Sequence, residues 1–501
     1  MCSTWDKDLI DKDLIDKDLI DKDLIDKDLI DKDLIDKDLI PTVTRRSFIN
    51  MLRSPLLWAH AVADAKAMSK VQGRGQSTSR PSSPKLLIAI PTLTILAGVL
   101  VHILALHFAP KNGIDHLVKM DISQLAAEIQ MSDAWPAFLR ARSDPDVTSL
   151  TKTLLIIVVF FRDMLSTQFA RGILWLLAVA SMPLILHILL ESTKTGRHPL
   201  LSPLNIFITA SIGQVFCLGC ATNLISVPSH AYVRYVQVVR ANDALNASQK
   251  DGNQAISKST IHPLPSAGVW KTNVASFLAG LAILTTALSI HVSPTKYPQE
   301  WIASNLAFQF FPVFFLPLLL PGLSAATAEP APVPKSGRIV TPRLHSARLY
   351  RNTSLIAVPL WWLGLYLTVT PLSDKVRHLL TVVRDIGYLK AIQFIQEEGI
   401  RTAINVAFPL SHGEWLLIWD CTGILIALFS VAWIDLVADD WAYRLFSSKV
   451  SAYKRPHEER HLLEDAIVGL PSTLVLGPGF TGARYFERRE IMAEKARLSG
   501  E

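Results

Sequence analysis

Cysteine is scarce: Cys2, Cys217, Cys220 and Cys421 are the four in 501 residues, so no disulfide framework organises the chain. Cys217 and Cys220 form a CxxC, but it lies inside an apolar run with no second pair. It reads as two small residues of a buried helix, not as a metal or redox centre. The motifs of soluble enzymes are missing as well. There is no Walker-type glycine loop followed by Lys-Ser/Thr, no Rossmann fingerprint, no HExxH and no GxSxG. Asp-rich diphosphate motifs such as DDxxD are absent, with Asp439-Asp440 the nearest approach. This argues against chemistry that starts by ionising a Mg²⁺-bound diphosphate. The N-terminus lacks the apolar segment of a signal peptide, and no polar stretch is long enough for a separate catalytic domain.

What the chain has is apolar length. Half its residues are hydrophobic although 19% are charged, and apolar runs of about twenty residues recur, the length that crosses a bilayer as a helix. The expected fold is an all-α, polytopic transmembrane helix bundle. The candidate spans are 86–109, 172–190, 201–227, 267–290, 301–323, 353–372 and 415–437, with an eighth at 150–168 interrupted by Arg162 and Asp163. Eight spans put 228–266, the basic loop with Lys335, Arg338, Arg343, Arg348 and Arg351, and both termini in the cytosol. Seven spans, if 150–168 does not cross, put that basic loop outside, against the positive-inside rule. About eight spans with cytosolic termini is therefore the expectation, in an endoplasmic-reticulum membrane. The sequons at Asn246 and Asn352 then stay unmodified.

Four regions follow. Residues 1–40 are a tail dominated by seven copies of Asp-Lys-Asp-Leu-Ile; a period of five matches neither helix nor strand, so the tract reads as disordered. Its 7 Lys and 14 Asp give −7, which leaves +13 on the rest of a chain whose net charge is +6. Residues 41–85 are a basic cytosolic tether, whose TRRSF lacks the apolar run of a twin-arginine signal. Residues 86–445 hold the spans, and 446–501 read as a basic cytosolic tail. Positive loops in such a chain report orientation and anionic lipid, not nucleic acid. DISQLAAEIQ and residues 379–406 have helical apolar spacing suited to a membrane surface.

The chemistry sits in the last span, WLLIWDCTGILIALFSVAWIDLV, where Asp420 and Asp435 interrupt an apolar run. An intramembrane carboxylate costs roughly 2.5–3.5 kcal/mol on insertion scales and faces protein or a cavity, not lipid. Asp163, Asp420 and Asp435 are the candidate catalytic acids. Arg162 and Asp163 point about 100° apart on a helix, which argues against simple mutual neutralisation. Trp415, Trp419, Trp361, Trp362 and Phe311 are candidate substrate-binding aromatics, able to hold an apolar chain and a developing cation. Each also has a plainer reading as interface or core packing.

The multi-span body with few large loops, the acid-plus-tryptophan segments WDCTG and VAWIDLVADDW, and the lack of diphosphate motifs resemble the fungal membrane-bound terpene cyclases of the ascofuranone, ascochlorin and macrophorin type. That resemblance implies cyclisation of a farnesyl-type side chain on a prenylated small molecule by protonation of an epoxide or alkene, with no cofactor and with pathway enzymes as partners. The resemblance is one of build, so it transfers no catalytic residue. A proton-coupled permease, whose relays use the same residue types, and a non-catalytic scaffold are the competing readings.

Overall fold

The computed structural model describes residues 85–108, 115–131, 145–194, 198–250, 269–320, 341–447 and 472–498; the repeat tract and most of the tether lie outside them. The described residues are helical, with no strand among them. Five helices are long and apolar enough to cross a membrane, and a bent pair brings the number to six. These are α1 (Lys85–Phe108), α5 (Gln168–Thr193), α9 (Val269–His291), the pair α10 (Pro298–Gln309) and 3₁₀ helix Phe311–Leu319, α11 (Pro342–Ile386) and, after the shorter α12 (Tyr388–Ala407), α13 (His412–Ser447). Large apolar side chains on their outer faces, such as Leu93, Leu96, Phe277, Leu355, Tyr366 and Trp433, are half or more exposed. An apolar belt of that extent is expected where lipid is the solvent.

Contacts fix the direction of each helix. On α1, Ile88 packs by Tyr235 and Trp441, and Val101 by Cys217, Leu416 and Trp419, so α1 runs antiparallel to α13. Asn273, at the start of α9, meets His345 at the start of α11, whereas His291, at the end of α9, meets Trp175 near the start of α5. Two ends of the bundle result: one around Asp435, Lys194 and Tyr350, the other around Asp163, His291 and Gly413.

Two of the expected spans are not among the helices long and apolar enough to cross. Helix α4 (Pro145–Met164) stays at the end opposite Asp435, packed on α2 (Asp115–Lys119), α3 (Ile122–Glu128) and the start of α10 through Leu155, Val158, Val159, Trp301 and Ile302. The run 201–227 is a hairpin. Helix α6 (Pro203–Phe216), N-capped by Ser202 with Pro203 in its first turn, enters from the Asp435 end. The chain reverses at Cys217 (φ 87°) and returns through α7 (Leu218–Ala221), a π-turn (Thr222–Ser226) and α8 (Val227–Lys250). Leu200 and Leu201 pack on Val233, so both legs open to the same end. A CxxC at the tip of a reversal escaped the sequence reading because an unbroken apolar run does not distinguish a crossing from a dip.

The stretch read as a cytosolic tail also enters the bundle. A short helix at 472–476 ends at Gly477 (φ 91°), and α14 (Pro478–Leu498) packs between α5, α11 and α13. Gly477 sits against Trp361 and Gly479 against the Val179 carbonyl in the middle of α5. Its charged residues hid this helix from a hydropathy reading, and they turn out to be the ones that matter.

Candidate functional site

At the Asp435 end, five helices bring charged or polar side chains into the interior. Asp435, on α13, has no exposed surface. Its Oδ1 lies 2.9 Å from His230 Nε2 on α8, and its Oδ2 accepts from Arg489 Nη1 on α14 at 2.6 Å. Arg234, one turn after His230, places Nε 2.9 Å from Oδ1 without hydrogen-bond alignment. Asp439, one turn after Asp435, takes Arg234 Nη2 and, at 3.2 Å, Arg489 Nε. Two guanidiniums thus balance two carboxylates, as a buried ion network must.

His187 on α5 completes the set. It stacks on Phe486 with ring centroids 4.0 Å apart, and its Nδ1 is 3.0 Å from the Tyr350 hydroxyl. Its Nε2 points at Asp435 Oδ2 from 3.8 Å and has no hydrogen-bond partner. A second cluster lies beside it, where Lys194 donates to Glu191 at 2.6 Å and to Glu490 at 3.0 Å. Burial opposes the Lys194 charge, but the two carboxylates outweigh it and hold its pKa above the ordinary 10.5.

The ligand atoms of His187, His230 and Asp435 lie within 4.8 Å of one another, a set with metal-ligand chemistry. The fit to a divalent ion is poor, because Arg489 and Arg234 already place positive charge against the carboxylate such an ion would use. Proton transfer suits the set better: two imidazoles face one carboxylate, one with an uncommitted ring nitrogen.

Asp420 stands fifteen residues before Asp435, roughly 22 Å along α13. Half-buried in mid-bundle, it accepts the Gly219 N–H at the hairpin tip. Asn223 Nδ2 donates to both Gly219 O (2.6 Å) and Gly423 O (2.7 Å), which ties the tip to α13. The approach requires glycine: a Cβ at Gly219 would lie 2.5 Å from the Asp420 carbonyl oxygen and 2.8 Å from Gly423 Cα.

Asp163 is at the opposite end, exposed. Contrary to the expectation from helical angles, Arg162 does pair with it: the long guanidinium folds back, with Nη2 2.8 Å from Asp163 Oδ1 and 3.0 Å from Glu128 Oε2. These residues line a cleft of about 450 Å³ with Arg171, Ser289, His291 and Trp301.

The candidate acids therefore occupy three separate places, and of the aromatics Trp419 lies beside one of them, at the hairpin tip that Asp420 contacts. Trp415 is buried in the core and Trp419 half-buried beside the hairpin tip. Trp361 covers Gly477, and Trp362 is 52% exposed on the outer face. Phe311 lines an apolar pocket of about 40 Å³ with Phe315, Leu218 and Ile424, and no carboxylate shares it. Small-molecule pockets run about 300–1,000 Å³, so this one is too small for a prenyl chain. Asp435, expected to donate a proton, has both oxygens engaged as acceptors. The sequence reading missed His230, Arg234 and Arg489. The signal available was spacing: His230 and Arg234, like Phe486 and Glu490, are four apart and share a helix face. No protein-family model, curated protein or solved structure matches the chain.

Proposed function

We propose that this protein is a proton-coupled carrier of small molecules across a membrane of the secretory pathway, with the Asp435 end in the cytosol. The observation that carries the reading is the hairpin that dips into the bundle and stops at Asp420. Secondary carriers build their central sites from helices broken near the membrane midplane. The chain breaks its helices at Cys217, Phe310 and Gly477. His187, His230 and Asp435 supply protonatable groups on facing helices along the same α13, the usual material of an intramembrane relay. Lys194, Arg234 and Arg489 at that end agree with the positive-inside rule.

The test is reconstitution into liposomes containing a pH-reporting dye. Under an inward proton gradient, amino acids, sugars, carboxylates and nucleosides are added in turn. One class should drive proton movement that Asp420→Asn and His187→Phe abolish. Silence across the whole panel, with protein shown to be folded and inserted, defeats the reading.

A second reading, acid-initiated cyclisation of a farnesyl-type side chain, is favoured by one observation: Asp163 lines a cleft of ligand size. Its pairing with Arg162 counts against it as a proton donor. Microsomes given a farnesylated phenol and its terminal epoxide would form a cyclised isomer of unchanged mass, lost in Asp163→Asn.

A further inference from the structure

The cleft opposite the Asp435 end has an uneven charge arrangement. Among the described residues Glu128 and Asp163 share a single cation, Arg162. Their side chains remain 44% and 48% exposed, so among these residues one carboxylate equivalent is left uncompensated at the cleft. Arg171, in the first turn of α5, lines the same cleft. Among the described residues its guanidinium makes one hydrogen bond, from Nη2 to the Ser166 carbonyl at 3.1 Å, and meets no carboxylate. Its Nε is buried with no hydrogen-bond partner among the described residues. A guanidinium presents five donors in a planar fork matched to a carboxylate, and a buried donor left unmade is costly. Arg171 therefore has donors to spare for an incoming anion.

His291 lines the same cleft. Its Nε2 accepts from Trp175 Nε1 at 3.1 Å, which fixes a neutral ring with its proton on Nδ1. Ile290, Val292 and Trp301 give that wall an apolar floor. The volume of about 450 Å³ falls within the range of small-molecule sites.

From this juxtaposition of an undercompensated carboxylate pair and a guanidinium that meets no carboxylate, both lining one cleft, we propose that the cleft binds the zwitterion of an apolar α-amino acid. The ammonium group lies against Glu128 and Asp163, the carboxylate against Arg171, and the side chain on the apolar floor. A simple anion would meet two carboxylates, and a simple cation would meet Arg171; only a ligand bearing both charges satisfies both sides. As the substrate class of a carrier this rests on the transport reading; as a binding site it is measured without any flux.

The experiment is ligand-dependent thermal stabilisation of the full chain purified in detergent. The probes are L-tryptophan with tryptamine and indole-3-propionate, and L-leucine with isoamylamine and 4-methylpentanoate. At least one amino acid should bind about tenfold or more tightly than both of its single-charge analogues, a ratio expected for losing one charge-assisted contact. Arg171→Gln should weaken that amino acid by a similar factor and leave the matching amine unchanged. Asp163→Asn should do the converse, sparing the carboxylate analogue. Unliganded melting of each variant, with Arg171→Lys as a charge-keeping control, separates lost binding from lost folding. An amino acid that binds no better than its analogues, or that is indifferent to Arg171→Gln in a folded protein, overturns the proposal. Binding here with no transport in liposomes would sink the carrier reading and leave the site standing.

Discussion

Asp435 is the residue whose loss the structure tolerates least. Its carboxylate meets Arg489, Arg234 and His230 with no exposed surface. Asp435→Asn leaves two guanidiniums facing one remaining acid. Breaking a buried pair by removing one partner costs about 3–5 kcal/mol, and chemical unfolding in detergent should read a loss of that order. Asp163→Asn, at an exposed pair, should change stability by less than about 1 kcal/mol. Lys194 adds a pH dependence with a definite sign. Its folded pKa is raised above the ordinary 10.5, so its contribution is complete below 10.5 and is lost only as pH climbs through the raised value. Lys194→Met should therefore lower the melting temperature at pH 7 and at pH 9 alike, and the gap between variant and parent should narrow only beyond pH 10.5. The sequence announced Asp435 and Asp420 because an acid in an apolar run stands out. It concealed Arg489 and His230 because a charge in a polar helix does not, and their partners are 54 and 205 residues away.

At the scale of elements, the apolar runs predicted six of the crossing helices and misjudged two segments. Periodicity and length recognise helix and burial, but a hairpin of two legs and a crossing helix share the same composition. The difference lies in one backbone angle at Cys217, φ 87°, which a non-glycine residue adopts with strain. Cys217→Gly should be neutral or mildly stabilising, whereas Cys217→Val should cost about 1–3 kcal/mol. Gly219→Ala should push the tip away from α13 and lose the Asp420 contact, at about 1–3 kcal/mol. Unfolding of the purified variants measures all three. If Cys217→Val is as stable as the parent, the left-handed turn is not what holds the hairpin. In this geometry the CxxC serves the backbone: Cys217 N-caps α7, its Sγ accepting the Cys220 N–H at 3.4 Å, and both residues are buried.

For the whole molecule, six candidate crossings, with helix α4 and the 201–227 hairpin not among them, leave the first and last described helices opening to the same end. Dropping 150–168 and 201–227 together preserves the sidedness that eight spans imply, so the charge-bias argument survives the change in span number. A glycosylation scan tests this. With the Asp435 end cytosolic, the natural sequon at Asn246 stays unmodified, whereas Ile114→Ser, which completes Asn112-Gly-Ser in the sequence between α1 and α2, gains one glycan. A glycan on Asn246 reverses the orientation.

The ion network also sets an order of events during synthesis. Asp435 leaves the ribosome 54 residues before Arg489, roughly 3–11 s at translation speeds of about 5–20 residues per second. For that interval the last crossing helix carries an acid whose strongest partner does not yet exist, and His230 and Arg234 alone must keep it from slipping out of the bilayer. A chain that terminates early, anywhere between the two residues, would be left permanently in that state. In such a chain Asp435 and Asp439 would face the single guanidinium of Arg234, one positive charge short of the balance that Arg489 completes.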